Sequence, residues 1–265
     1  MGKEENLYVK EFLDWYKNIG VDHIFIYDDN DNEEEKFSRE INVSQSEYVS
    51  IFPSIEHSQS KSFTACYNDN KKKYDWFLMF DLDEFLYIKK GNIKNYFSQD
   101  IFKKCDFISF HWGVTNDNNL IKYDNRSLFE RFPGPYKIKN VVKTAIRGNI
   151  DNLIYSVHSP LYSPEKNITC NNEGQIINEK KLNFAYIEPI NTKQAYIIHF
   201  KYKSTEEFIK KYKKGYYGIT GSYLGEVLKG KLKLYLEDNE ITKQKIEYLE
   251  HELNLNLSTY KNYTL

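Results

Sequence analysis

The sequence of 265 residues is short of cysteine and has no long apolar run. Cys66, Cys105 and Cys170 are odd in number and far apart. They show neither metal-ligand spacing nor a disulfide framework. That excludes a small disulfide-stapled secreted fold and points to a reducing compartment. No stretch approaches the ~20 apolar residues of a membrane span. The opening MGKEENLYVK is charged from its third residue, unlike a signal peptide. It follows the myristoylation pattern only through Met-Gly, because Asn6 stands where Ser or Thr is needed. Net charge is also lacking. At −1, the chain has no global pull towards nucleic acid, and no nucleic-acid partner is expected.

What is present is core material. Forty per cent of residues are hydrophobic and 16% aromatic, enough for a sizeable interior. The length suits one large domain or two small ones. Abundant Tyr, Asn and Lys are a compositional bias, and the sequons at Asn125 and Asn167 are expected by chance in such a chain.

Periodicity orders the first half. In EENLYVKEFLDWYKNIG, the residues Val9, Phe12, Leu13, Tyr16 and Ile19 share one helical face, and Gly20 is a stop. Strands are expected at His23–Tyr27 and Glu47–Phe52, with a helix in SKSFTACYNDNKKKY after them. DWFLMFDLDEFLYI (Asp75–Ile88) reads as a third strand and DFISFHW (Asp106–Trp112) as a fourth. A helix feeding a buried strand that ends in acids is an α/β signature. Further on, RFPGPYKIKNVVKTAIRG reads as turn, strand, turn. NLIYSVHSP and QAYIIHF read as short strands, each ending at a histidine. Ser204 and Glu207 have capping-box spacing ahead of a helix that runs to Gly215, and ITKQKIEYLEHEL is a last helix. No internal repeat or linker is visible. One domain is expected, a core over residues 1–215 with a helical extension over 216–265.

The chemistry concentrates at strand ends. Three acids, Asp81, Asp83 and Glu84, close an apolar run, and a buried strand end is a poor place for unpaired charge. In a continuous strand Asp81 and Asp83 would share a face. Hard divalent cations prefer such oxygen ligands and often share them with phosphates. An acidic loop is the blander reading of the same residues. In open α/β sheets ligands sit at the carboxyl ends of strands, which favours the metal. Asp28 and Asp29 end another strand and could accept from a ribose or base, whereas the NEEE beyond them reads as a solvated loop. His158 and His199 each close an apolar strand. Such histidines are commonly structural, yet neutral imidazole can complete a metal shell begun by carboxylates. Lys201 and Lys203 follow His199 and could neutralise a leaving phosphate.

Three ordered stretches, KEENLYVKEFLDWYKNIGVDHIFIYDDND, DWFLMFDLDEFL and IIHFKYKSTEEFIKKYKKG, together resemble glycosyltransferase family 92 and its bacterial family 2-like relatives. The resemblance spans residues 3 to 215. It implies an α/β GT-A fold, the Rossmann-like fold of nucleotide-diphospho-sugar transferases, with a C-terminal helical extension. It also implies a nucleotide-sugar donor, a UDP-sugar, with Mn²⁺ or Mg²⁺. The implied reaction moves a hexose, often galactose, to a glycan or glycolipid acceptor with inversion. By position, Glu5 and Asp28 would lie near the nucleotide and Asp81 and Asp83 would face the metal and the donor sugar. His199 would sit by the diphosphate and share the metal. The family begins with a strand ahead of a Lys-Asn-Glu segment, and here Glu replaces that Asn while Glu11-Phe12 occupies its Glu-Trp position.

An acceptor hydroxyl needs a base. Asp117, beyond the SFHWG strand, is the candidate and Glu130 the alternative, against a polar-loop reading of both. Two competing functions remain at this point. One is a nucleotide-sugar-binding module without turnover. The other is a haloacid-dehalogenase-like phosphatase with Asp81 as nucleophile, although Glu84-Phe85 does not fit that motif. The expected location is cytoplasmic. Lys210, Lys211, Lys213 and Lys214 offer peripheral contact with an anionic inner membrane face, or merely a solvated helix face.

Overall fold

The computed structural model describes residues 1–41, 47–162, 167–177, 185–215 and 221–257. They form a mixed α/β protein with seven α-helices among the described residues. The chain folds as two compact units. The first comprises Met1–Val114 and Lys137–His199, the second Thr115–Tyr136 and Phe200–Leu265. The division therefore falls just after His199, and it draws a segment from the middle of the chain into the C-terminal unit.

In the first unit α1 (Asn6–Asn18) buries Tyr8, Val9, Phe12, Leu13 and Tyr16. It stops where Gly20 takes a φ of +94°, a backbone conformation that costs glycine little. Next, β1 (Ile24–Asp28) pairs in parallel with β2 (Val49–Pro53). Between β2 and the following strand runs α2 (Gln59–Asn70), capped by the Ser58 hydroxyl.

The expected single strand over Asp75–Ile88 does not form. The chain makes β3 (Trp76–Leu78), turns through the acids, and makes β4 (Glu84–Ile88). The turn is closed from both sides, with the Glu84 amide donating to the Asp81 carbonyl at 3.0 Å and the Asp81 amide to Glu84 Oε2 at 3.0 Å. The reason is electrostatic. A continuous strand would carry three acids through the interior, whereas a turn lets each find its own partner. The same-face argument for Asp81 and Asp83 falls with that strand.

Around β3 and β4 lies a mixed sheet in the order β3-β6-β5-β10-β4, where β5 is Phe107–Val114, β6 Lys137–Arg147 and β10 Ala195–His199. A short strand, β9 (Thr169–Asn171), adds to β5 in parallel. β7 (Ile154–Tyr155) and β8 (Pro160–Tyr162) form a separate antiparallel pair, and His158 lies in the turn between them, not at a strand end. In a flat sheet β6 and β4 would stand roughly 14 Å apart at about 4.8 Å per strand. Yet Lys143 of β6 comes within 3.4 Å of Glu84 of β4, so the sheet curls.

Two apolar faces hold this unit together. Phe63 and Tyr67 of α2 pack with Phe77, Phe107, Ile146 and Tyr155. On the α1 side Phe12, Trp15 and Tyr16 surround Phe85. The Tyr16 hydroxyl donates to the Glu84 carbonyl at 2.9 Å and accepts from the Leu86 amide at 3.0 Å, which ties α1 to the strand that leaves the acidic turn.

Cysteine pairing departs from expectation. Cys105 and Cys170 form a disulfide, and Cys66 is free and buried. The partners are 65 residues apart, and the parallel pairing of β5 with β9 brings them together. Spacing along the chain cannot show such a contact. The compositional argument for a reducing compartment is withdrawn with it.

The second unit is mainly helical. It contains the short α4 (Leu128–Arg131), α5 (Thr205–Lys214), α6 (Gly221–Asp238) and α7 (Lys243–Leu253). The Ser204–Glu207 capping box forms as its spacing predicts. Phe208 of α5 stacks on Tyr235 of α6 at 4.0 Å, and Arg131 grips Glu207 with two hydrogen bonds of 2.7 and 3.2 Å. The remaining helix, α3 (Ile93–Phe97), belongs to the first unit.

Candidate active site

The acidic turn between β3 and β4, the end of β10 and the middle of β6 meet in the first unit. Asp83, buried in the turn, has Oδ1 3.5 Å from His199 Nε2, which ends β10. This is the pair of predicted ligands that the fold brings together. Asp81 faces a different partner. Lys143 Nζ donates to its Oδ2 at 3.0 Å and lies 3.4 Å from Glu84 Oε2, and Gln59 donates to Asp81 Oδ1. The Lys143 side chain is 0% exposed, while that of Asp81 is 28% exposed. Asp81 is thus a carboxylate that solvent, or a ligand, can reach.

The three groups divide the charge between them. Burial disfavours a charged Asp81, but the Lys143 ammonium outweighs it and holds this carboxyl below its ordinary range. Glu84 goes the other way. Full burial, against the help of Lys143 and with repulsion from Asp81 and Asp83, lifts it well above the usual carboxylate range. Burial would discharge Lys143, yet its two acids keep it charged. Lys143 thus stays a cation, Asp81 is held towards its ionised form and Glu84 is pushed towards its neutral one. Glu84 Oε1 and the Trp112 indole N–H are buried without a hydrogen-bond partner among the described residues. Trp112 on β5 lies between two imidazoles, 4.3 Å from the His199 ring and 5.2 Å from that of His158. His158 Nδ1 pairs with the Val142 carbonyl, and burial, aided by Lys143, lowers its pKa to about 4.

Other predicted residues are committed elsewhere. Asp28 accepts from the backbone and side chain of Asn30 and from the Phe37 amide, so both its oxygens organise the loop after β1. Asp29 Oδ1 accepts from Ser54 and lies 2.8 Å from His57 Nδ1. Glu5 is half-buried at the N-cap of α1. Lys201 and Lys203 belong to the second unit. There Lys201 donates to the Tyr202 hydroxyl at 2.8 Å, and Lys203 is buried with a φ of +59°.

Asp117, the candidate base, also lies in the second unit. It is 1% exposed, and its carboxylate is held by Lys245 at 2.8 Å and by the Tyr235 hydroxyl. Its alternative, Glu130, accepts from the Ser127 amide and hydroxyl in a capping box, which holds its carboxyl below the ordinary range.

A divalent cation would find two donors of suitable chemistry in Asp83 and His199, one oxygen and one nitrogen. Among the described residues no three His, Cys, Asp or Glu side chains stand close enough to hold a metal alone. Lys143 and Trp112 were missed at the sequence level. The lone lysine in NVVKTAIRG was the available signal, because a charge inside an apolar strand requires a partner.

The profile of glycosyltransferase family 92 matches residues 1–256. No curated protein matches the chain. No described helix is long and apolar enough to cross a membrane.

Proposed function

Because the chain belongs to glycosyltransferase family 92, and so is a glycosyltransferase, we propose that it moves a hexose, galactose in the first instance, from a UDP-sugar to a glycan or glycolipid acceptor with inversion, on a GT-A fold. The phosphatase reading is set aside by the family. The observation that carries the proposal is the buried Asp83–His199 pair beside an ionised, reachable Asp81.

In this reading Asp83 and His199 would hold Mn²⁺ or Mg²⁺, which would supply Lewis-acid neutralisation of the leaving diphosphate. Asp81, kept ionised by Lys143, accepts hydrogen bonds from donor-sugar hydroxyls. Lys143 and Glu84 fix its orientation from behind. Trp112 keeps the His199 imidazole in place. Glu5 and Asp28 are proposed to frame the nucleotide, Asp28 by shaping the loop. We assign Asp117 to anchoring α6 and α7, not to acceptor deprotonation, because its carboxylate is spent on Lys245 and Tyr235.

On α5, Lys210, Lys213 and Lys214 are exposed and supply a basic face for peripheral contact with anionic lipid, although Lys213 also pairs with Glu252 at 3.0 Å. We propose action at a membrane surface on this ground. The Cys105–Cys170 pair fits an oxidising compartment better than the cytoplasm.

A thermal-shift panel of nucleoside diphosphates and nucleotide sugars, with and without Mn²⁺, tests the proposal. A ligand that binds the native state raises Tm by mass action. Stabilisation by UDP or a UDP-sugar that requires Mn²⁺, with slow release of UDP from the donor, is expected. Binding without any release would favour a module lacking turnover, and no stabilisation by any nucleotide would remove the donor assignment.

A further inference from the structure

In the second unit α6 (Gly221–Asp238) carries apolar residues on two opposite faces. At about 100° per residue, Leu232, Tyr235 and Leu236 point one way, and all three are buried. Tyr223, Val227, Gly230 and Leu234 point the other way, within an arc of about 60°. Tyr223 is 66% exposed and Leu234 45% exposed, Gly230 is exposed and Val227 is half-buried. Tyr223 is the most exposed large apolar side chain among the described residues. A surface helix packs on its own core through one apolar stripe, and the buried stripe already does so. Single exposed apolar residues are ordinary, but these stand in register along about three turns and make a face.

The face is complementary to itself. Tyr223 and Leu234 are equidistant from a point between Leu228 and Lys229. With two helices antiparallel about a two-fold axis at that point, Tyr223 lies level with Leu234 of the second copy. Val227 then lies level with Gly230 of the second copy, so the branched side chain meets the residue that has none. Beyond its own turn of helix, a Cβ at Gly230 would meet no atom within 4 Å, so the chain's own packing does not call for glycine there. Glycine is a poor helix former, and close approach of another backbone is what it permits.

The flanking charges select the same arrangement. Glu226 and Lys233 lie on one flank of the stripe. In the antiparallel pair Glu226 falls only about 3 Å along the axis from Lys233 of the second copy, and the two-fold axis repeats the contact. Within one molecule Glu226 pairs with Lys229 at 2.9 Å and Lys233 with Glu237 at 3.8 Å. Both pairs are exposed, so exchanging them costs little. A parallel pair would instead set Glu226 against Glu226 and Lys233 against Lys233. An anionic lipid surface would meet Glu226 and Glu237 beside the stripe, which repels it.

We propose that the outward face of α6 is a homodimer contact, with the α6 helices of two copies antiparallel about a two-fold axis between Leu228 and Lys229. Such a contact is isologous and closes on itself. The stripe is about 16 Å long, which puts the contact at the small end of protein interfaces, where complexes are transient. Association in the micromolar range is expected.

Sedimentation equilibrium of the full chain from about 1 to 300 μM tests this. The parent should approach a dimer at the top of that range. Leu234→Glu, Gly230→Leu and Glu226→Lys should each weaken the dimer by about tenfold or more, while circular-dichroism melts show the fold kept. Glu226→Lys combined with Lys233→Glu reverses the pair and should restore affinity to within about threefold of the parent. A parent that stays monomeric throughout would overturn the proposal. So would a dimer that none of these variants weakens, which would place the contact elsewhere. Co-sedimentation of a monomeric chain with anionic vesicles that Leu234→Glu abolishes would also overturn it and make α6 a lipid-contact face. None of these readouts uses a sugar donor, so the dimer and the transfer reaction fail independently.

Discussion

Replacing Lys143 with methionine removes one charge and keeps most of the apolar stem, so the effect reads electrostatics more than packing. Lys143 is fully buried, 3.0 Å from Asp81 and 3.4 Å from Glu84. Removing one member of a buried ion pair costs about 3–5 kcal/mol, because the other is left uncompensated. Asp81 is 28% exposed and can recover some hydration, so the lower half of that range is expected. For a chain of this size that is a fall in Tm of roughly 6–12 °C at pH 7. The sign of the pH dependence follows from the loss of the cation. Both carboxyls then have folded pKa values above their unfolded ones. A raised folded pKa contributes stability that is present at low pH and lost as pH rises. The gap between Lys143→Met and the parent should therefore narrow from pH 7 to pH 5. Circular-dichroism melts at both pH values measure it. Glu84→Gln is the companion, because burial pushes this carboxyl towards its neutral form, which an amide matches closely in shape and charge; it should melt within about 3 °C of the parent. If Lys143→Met melts with the parent at pH 7, or the gap widens on acidification, the charge assignment of this cluster is wrong.

Asp117→Asn should destabilise by about 3 kcal/mol or more, since it strands the buried Lys245, while turnover by the folded fraction persists; a stable variant that has lost about a hundredfold in kcat would restore Asp117 as the base. His199→Ala should keep its circular-dichroism spectrum and lose most Mn²⁺-dependent turnover, and wild-type turnover would make it a core residue with His158 the next candidate ligand. Thiol titration of the unfolded, unreduced chain should find one thiol, that of Cys66, and not three. Reducing the Cys105–Cys170 bond, which closes a loop with a separation of 65, should cost up to about 4 kcal/mol in the chain-entropy account.

Local signals read well in this chain. The α1 face, the Gly20 stop and the Ser204–Glu207 capping box each depend on residues within a few positions of one another, so composition and spacing suffice. β1, β2 and β10 were legible because apolar runs end at polar clusters. The break inside Asp75–Ile88 was not, because it depends on partners far away. Lys143 and His199 draw Asp81 and Asp83 apart, 62 residues away in the case of Lys143. The disulfide was hidden for the same reason, as β5 and β9 must pair before the sulfurs meet. Asp117 shows the same limit from the other side. A polar loop after a strand suggested an acceptor site, but its partner Lys245 lies 128 positions on, where only the folded helices deliver it.

The proposed site stands or falls on Asp83. Isothermal calorimetry of UDP with and without Mn²⁺, on the parent and on Asp83→Asn, measures it most directly. The parent should bind UDP more tightly with Mn²⁺, and the variant should lose that metal-dependent gain while its circular-dichroism spectrum is unchanged. Equal Mn²⁺-dependent affinity in both proteins would contradict the account and place the cation away from the Asp83–His199 pair.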